Sequence, residues 1–181
     1  MLHSMNAIDG VYFRREDYAG FWLRSLVDVI DVLVVGALFS ALGTVLWLPS
    51  ITWILNLFLG ICAIVVFCYF VVLKRSKIGT LGYLVCGVRI VGLDRRPATL
   101  RAVAFRTLFA VLNPLTGFDS IWIAGDPHRQ ALRDKLAQTY VVKKRAVLAG
   151  TGRVVFGYYE IWGYHFIFRE VEVRESTPVL S

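Results

Sequence analysis

The chain has 181 residues, of which 57% are hydrophobic and only 18% charged, with a formal net charge of +7. Ordinary soluble domains carry about 25% charged residues, so the composition argues against a soluble enzyme. It leaves nucleic acid or an anionic membrane surface as the partner of a basic, apolar chain. The placement of the charges decides between them: Val32 to Leu73 holds no Asp, Glu, Lys, Arg or His, and a bilayer core needs roughly 20 apolar residues per helical span.

Residues 1–20 read as a polar N-terminal arm without the apolar stretch and small-residue site of a cleavable signal. Two spans are predicted next, at about 21–48 and 51–73, turning at Pro49-Ser50, the first doubling as an uncleaved insertion signal. Trp47 and Trp53 flank the turn and Tyr18 and Trp22 lie at the opposite boundary, as amphipathic aromatics prefer. Gly36, Ser40 and Thr44, spaced by four, form a small-residue stripe for helix packing. Cys62, Cys68 and Cys86 lack the close pairing of metal or redox motifs and read as inert thiols.

Lys74, Arg75 and Lys77 mark the membrane boundary. Val88 to Val91 alternates like a short strand, Gly92 to Pro97 looks like a hairpin turn, and Thr99 is placed to cap the following helix. Residues 102–124 are apolar, yet Arg106 and Asp119 bracket too short a run for a regular crossing, and Asn113-Pro114 interrupts it. A re-entrant or interfacial segment is expected there rather than a third span. That choice keeps all 20 Lys and Arg on one side, which the positive-inside rule makes cytoplasmic. Residues 128–145 read as an amphipathic helix followed by a strand at Tyr140 to Val142, and Arg153 to Glu175 as a β-rich tail. Its Tyr158, Tyr159, Trp162, Tyr164 and Phe166 are candidates for contact with a partner.

The sharpest polar feature is Arg24, Asp28 and Asp31, whose spacings of four and three share one helix face. Acids at membrane depth pair with something or serve a function. Arg24 is the expected partner of Asp28, and Arg106 that of Asp31. The cluster reads either as a structural ion-pair clamp or as a proton or cation site titrating at Asp31.

Arg24 and Asp31, the stretch Gly79-Thr80-Leu81-Gly82 with Gly87-Val88-Arg89-Ile90-Val91, and Asp134 within Leu132-Arg133-Asp134-Lys135-Leu136-Ala137-Gln138-Thr139 together resemble the RDD family of bacterial membrane proteins over about residues 18–143. That family is named for an arginine and an aspartate in its first helix and a later aspartate. Tyr83, Arg133 and Gln138 stand where the family usually has Lys, His and Gly. The resemblance implies a fold and a membrane more than an activity; some members look like cation/proton antiporters.

The sequence thus predicts a mainly α membrane protein: a two-helix transmembrane hairpin, a re-entrant or interfacial helical segment, and small cytoplasmic β elements. Three regions are expected: a cytoplasmic arm at 1–20, a membrane domain at 21–145, and a β-rich cytoplasmic extension at 146–181. The expected place is the bacterial cytoplasmic (inner) membrane, multi-pass, with both termini cytoplasmic and anionic lipid at that face. The expected role is a non-catalytic accessory or scaffold subunit of a membrane complex; the alternative is a cation/proton antiporter or other small transporter. Other membrane subunits or further copies of the chain are the expected protein partners, and no metal, cofactor or nucleic acid is. His3, His128 and His165 are isolated, and no nucleophile or phosphate-loop motif occurs.

Overall fold

The computed structural model describes residues 9–45, 52–94, 96–112, 122–161 and 163–172. Strand β1 (Asp9–Phe13) precedes a 3₁₀ turn at Arg15–Asp17 and helix α1 (Phe21–Val45). Helix α2 (Thr52–Phe67) runs on into a π-helical segment at Cys68–Leu73. Then follow α3 (Leu81–Val85), β2 (Val88–Gly92), α4 (Leu100–Leu112), α5 (Leu132–Leu136), β3 (Thr139–Lys143), β4 (Leu148–Ile161) and β5 (Tyr164–Glu172).

The strands form two antiparallel sheets, one ordered β1-β4-β5 and one pairing β2 with β3. Side chains alternate across a strand, and β3 shows how that builds two cores. Tyr140 and Val142 turn toward Val11, Phe13, Tyr18, Val91 and Val171, filling the space between the sheets. Val141 points the other way, into a cluster with Ala19, Val27, Tyr83 and Val88 that seats α1 and α3. Two backbone bonds bind the layers: Val11 N–H donates to Leu93 O (2.8 Å) and Ala19 N–H to Val141 O (2.9 Å). At the β4–β5 connection Gly163 adopts φ 77°, a conformation open to glycine at no steric cost.

These sheets overturn the expectation of a mainly α membrane protein built on a two-helix hairpin. Among the described residues one run, Asn56–Leu73, is long and apolar enough to cross a membrane, with mean hydropathy 2.6 and only 6% of it buried. So little burial separates it from the core helix of a soluble protein. The first half of α1 is instead committed to the β-bearing body, with Arg24, Val27 and Asp31 all buried. Pro49-Ser50, Trp47, Asn113-Pro114 and Asp119 lie outside the described residues.

Other expectations shift in detail. The chain does turn back at Gly92 to Pro97, where Val91 and Pro97 form an isolated antiparallel bridge and Gly92 N–H donates to Arg96 O (2.9 Å), but the strand that pairs along β2 is β3, some 50 residues on. Within residues 128–145 the expected amphipathic helix shrinks to α5, while the strand expected at Tyr140 to Val142 is present as β3. Within the N-terminal arm, Asp9–Phe13 is strand β1, which adds to the edge of β4. Thr99 Oγ1 does accept from Ala102 N–H (3.2 Å) at the start of α4.

Candidate functional site

The charged face of α1 meets three different elements. Arg24 reaches the loop and α5: its Nε donates to Ala19 O (2.8 Å), Nη2 to Arg129 O (2.7 Å), and Nη1 to Asp134 Oδ2. Arg106 on α4 approaches the other oxygen, with Nη2 at 2.8 Å from Asp134 Oδ1 as an ion pair lacking hydrogen-bond alignment. Its Nη1 donates to Thr139 Oγ1 (2.6 Å). Asp134, fully buried, is therefore held between two guanidiniums and also accepts from Ala131 N–H (3.3 Å). Burial pushes its carboxyl up, but Arg106, Arg24 and Arg133 outweigh that and hold it below the usual carboxylate range.

Asp31 sits one step along α1, fully buried. Thr80 Oγ1 donates to its Oδ2 (2.8 Å), and Gly82 N–H (2.8 Å) and Tyr69 OH (3.0 Å) donate to its Oδ1. This explains the glycine motif physically. Thr80 opens α3, and Gly82 lets that helix touch α1: a Cβ there would stand 2.5 Å from Val27 O and 2.7 Å from Asp31 Oδ1. Gly79, at φ 81°, sets the approach of the chain to Thr80.

Asp28 lies between these centres with its side chain 46% exposed. Arg133 Nη2 donates to its Oδ2 (3.2 Å), and Lys74 Nζ stands 3.9 Å from both Asp28 and Asp31. A cavity of about 350 Å³ opens beside them, with Arg24, Asp28, Lys74, Arg106 and Arg133 in its wall and apolar side chains of α1, α2 and α4 around them.

A third centre joins α5 to β5. Lys135, 1% exposed, pairs with Asp126 (2.5 Å) and with Glu170, and Tyr159 OH bonds to both Lys135 and Glu170. Burial alone would lower the ammonium's affinity for its proton, but the bonds to Asp126, Glu170 and Tyr159 raise it. The Lys135 ammonium also lies 4.6 Å from the centre of the Tyr159 ring.

The structure brings Arg24, Asp28, Asp31, Arg106 and Asp134 into one region but pairs them differently from the expectation. Arg106 binds Asp134, not Asp31, and Arg24 binds Asp134, not Asp28. Gly36 and Ser40 are exposed, and a Cβ at Gly36 would meet nothing within 4 Å; the side chain of Thr44 lies outside the described residues. Of the aromatic contact candidates, Tyr158 faces outward at 78% exposure, whereas Tyr159 and Phe166 turn toward Trp122 and Phe168. Trp162 and the side chain of Tyr164 lie outside the described residues. Asp126 and Glu170 escaped sequence reading as site residues; Lys74 was read only as a boundary charge, and Lys135 and Thr139 only as parts of the motif around Asp134.

The RDD family model matches residues 18–138. The "Uncharacterized membrane protein YteJ" of Bacillus subtilis (strain 168) is 31% identical over 140 residues, covering 71% of this chain and 82% of the relative. No solved structure matches. The matched span holds Arg24, Asp31, Arg106 and Asp134, whereas β1, β3, β4 and β5 fall outside it. Lys135 and Asp126 inside the span thus meet Glu170 and Tyr159 beyond it.

Proposed function

This chain belongs to the RDD family of membrane proteins, and from that premise we propose that it is a non-catalytic accessory or scaffold subunit that holds a β-sheet against a membrane complex. The observation that carries the reading is the outer face of the β4–β5 hairpin. Phe156, Tyr158 and Ile167 are 59%, 78% and 57% exposed. Tyr158 pairs directly with Ile167, Phe156 follows on the same face, and Arg169 opposite it lies 5.6 Å from the Phe156 ring. Contiguous exposed apolar surface of this kind marks contact sites. The Lys135–Glu170 junction fixes that face to the family domain, and the fully engaged Asp31 and Asp134 favour a rigid mount over moving chemistry.

The membrane is the bacterial cytoplasmic membrane on this reading. The N-terminal arm and the C-terminal extension share one side, since β1 pairs with β4. The excess of Lys and Arg over Asp and Glu in the chain supports taking that side as the cytoplasmic one.

The test is native extraction of the full chain, followed by sizing and mass spectrometry. A fixed set of other membrane subunits in constant stoichiometry is the expected result, reduced when Tyr158 and Ile167 are both changed to Ser. The chain migrating alone would sink the reading.

A second reading, cation/proton antiport, is favoured by Lys74 standing between Asp28 and Asp31 at the cavity wall. It requires Asp31→Asn to abolish ion-driven pH changes in vesicles, and unchanged flux would dismiss it.

A further inference from the structure

The cations of the clamp face carboxylates; a second group of cations gathers in a cleft that no carboxylate lines among the described residues, with Lys74, 3.9 Å from Asp28 and Asp31, shared between the two. A cleft of about 710 Å³ is lined by Lys74, Arg75, Lys77, Arg89, Arg96 and Lys144, and among the described residues no Asp or Glu lines it. Two of its guanidiniums are propped by backbone carbonyls rather than by acids: Arg75 Nε donates to Ala98 O (3.1 Å) and Arg89 Nη2 to Ala146 O (3.4 Å). Arg96 pairs with Asp94 at 3.8 Å, on an exposed turn that leaves the arginine 85% accessible. Concentrated like charge in a concave wall is held at a cost unless an anion shares it.

We propose that this cleft seats the phosphate headgroup of one anionic phospholipid. Two observations choose a lipid over a dissolved anion. Lys74, in the cleft wall, directly follows Leu73, the last residue of the run long enough to cross the membrane. The cleft therefore opens at the level where lipid phosphates lie, and basic pockets at that boundary are suited to anionic headgroups. Apart from Ser76 its remaining wall is apolar, with Ile78, Tyr83 and Leu148 among the lining residues, so the first carbons of a lipid chain meet surface of their own kind. The volume lies within the roughly 300–1,000 Å³ of small-ligand sites, enough for a headgroup whose chains remain in the bilayer. The site is independent of whether the protein serves as a scaffold or as an antiporter.

The test uses the full chain in neutral detergent, with native mass spectrometry counting retained phosphatidylglycerol and phosphatidylcholine at equal concentration. One phosphatidylglycerol retained in preference to phosphatidylcholine is the expected result. Arg89→Gln with Lys144→Gln should lower that retention by roughly tenfold or more, from the contribution of each cation beside an anionic surface. Arg153→Gln, an exposed change on β4 outside the cleft, should leave it unchanged. Should the double variant fail to fold, the exposed Lys77→Gln gives the same readout, with a smaller loss. Equal retention of the two lipids would overturn the proposal, as would cleft variants that behave like Arg153→Gln. Displacement of the lipid by an equal concentration of inorganic phosphate would also overturn it, assigning the cleft to a soluble anion.

Discussion

Arg24 and Asp134 are 110 residues apart in sequence and form a buried ion pair, with Arg106 completing the same carboxylate from a third helix. One acid thus fastens α1, α4 and α5. Removing it would leave two guanidiniums in a site from which water is excluded. Breaking one partner of a buried pair costs about 3–5 kcal/mol, so Asp134→Asn should lower the melting temperature in detergent steeply. The double change Arg24→Met with Asp134→Leu should recover part of that loss, because no unmatched charge from α1 remains. Equal melting of Asp134→Asn and the parent would show that the pair is not structural.

The Asp31 centre makes a separate prediction at Gly82. A methyl group there collides with the Val27 carbonyl and the Asp31 carboxylate, and overpacking of this kind costs typically 1–3 kcal/mol. Gly82→Ala should destabilise the protein by about that amount, and Thr80→Val, which deprives Asp31 of a hydroxyl donor, by about 1–3 kcal/mol. The two losses should fall short of additive, since both act through the same carboxylate. Strict additivity in denaturation experiments would argue that α3 and Asp31 are not one unit.

What could be read from the sequence follows from the range of each interaction. The charged face Arg24, Asp28, Asp31 was legible because helical spacing is local, and the motifs around Gly82 and Asp134 were legible by family resemblance. Their pairing was not. Spacing along α1 cannot reveal that Asp31 is satisfied by Thr80, Gly82 and Tyr69, nor that Arg106 prefers Asp134. The sheets were under-read for a similar reason. β1 has only five residues in a polar arm and exists through pairing with β4, and the two partners lie at opposite ends of the chain. The apolar density that signals membrane helices also masked how much of α1 is spent on the body.

The junction at Lys135 predicts a separable effect. Lys135→Met would leave Asp126 and Glu170 facing each other without their shared cation, and a loss of about 3–5 kcal/mol follows. Because Glu170 lies on β5 and Asp126 near α5, the damage should concentrate at the β4–β5 hairpin. Hydrogen exchange should rise there first, while amides of α1 and α3 keep their protection. Uniform loss of protection across both regions would mean that the hairpin and the family domain do not unfold as distinct units.

His128 gives the pH dependence. Its ring packs against both Tyr18 and Tyr140, with centroids 5.5 and 5.7 Å away, and the two tyrosine rings also meet each other at 5.3 Å. Burial lowers its pKa; Lys135 acts in the same direction, while Asp126 and Glu170 oppose it. The folded protein therefore holds a neutral imidazole, whereas the unfolded chain takes up a proton below about pH 6.5. With more protons bound when unfolded, stability rises with pH in this window. It is fully present above about pH 6.5, and falls as the pH drops toward and through the lower folded value. His128→Phe keeps an aromatic ring against the two tyrosines and removes the titration. Melting temperatures measured from about pH 8 to about pH 5.5 should decline for the parent and stay flatter for the variant. Parallel curves for the two proteins would remove His128 from the account and shift the acid sensitivity to the carboxylate centres.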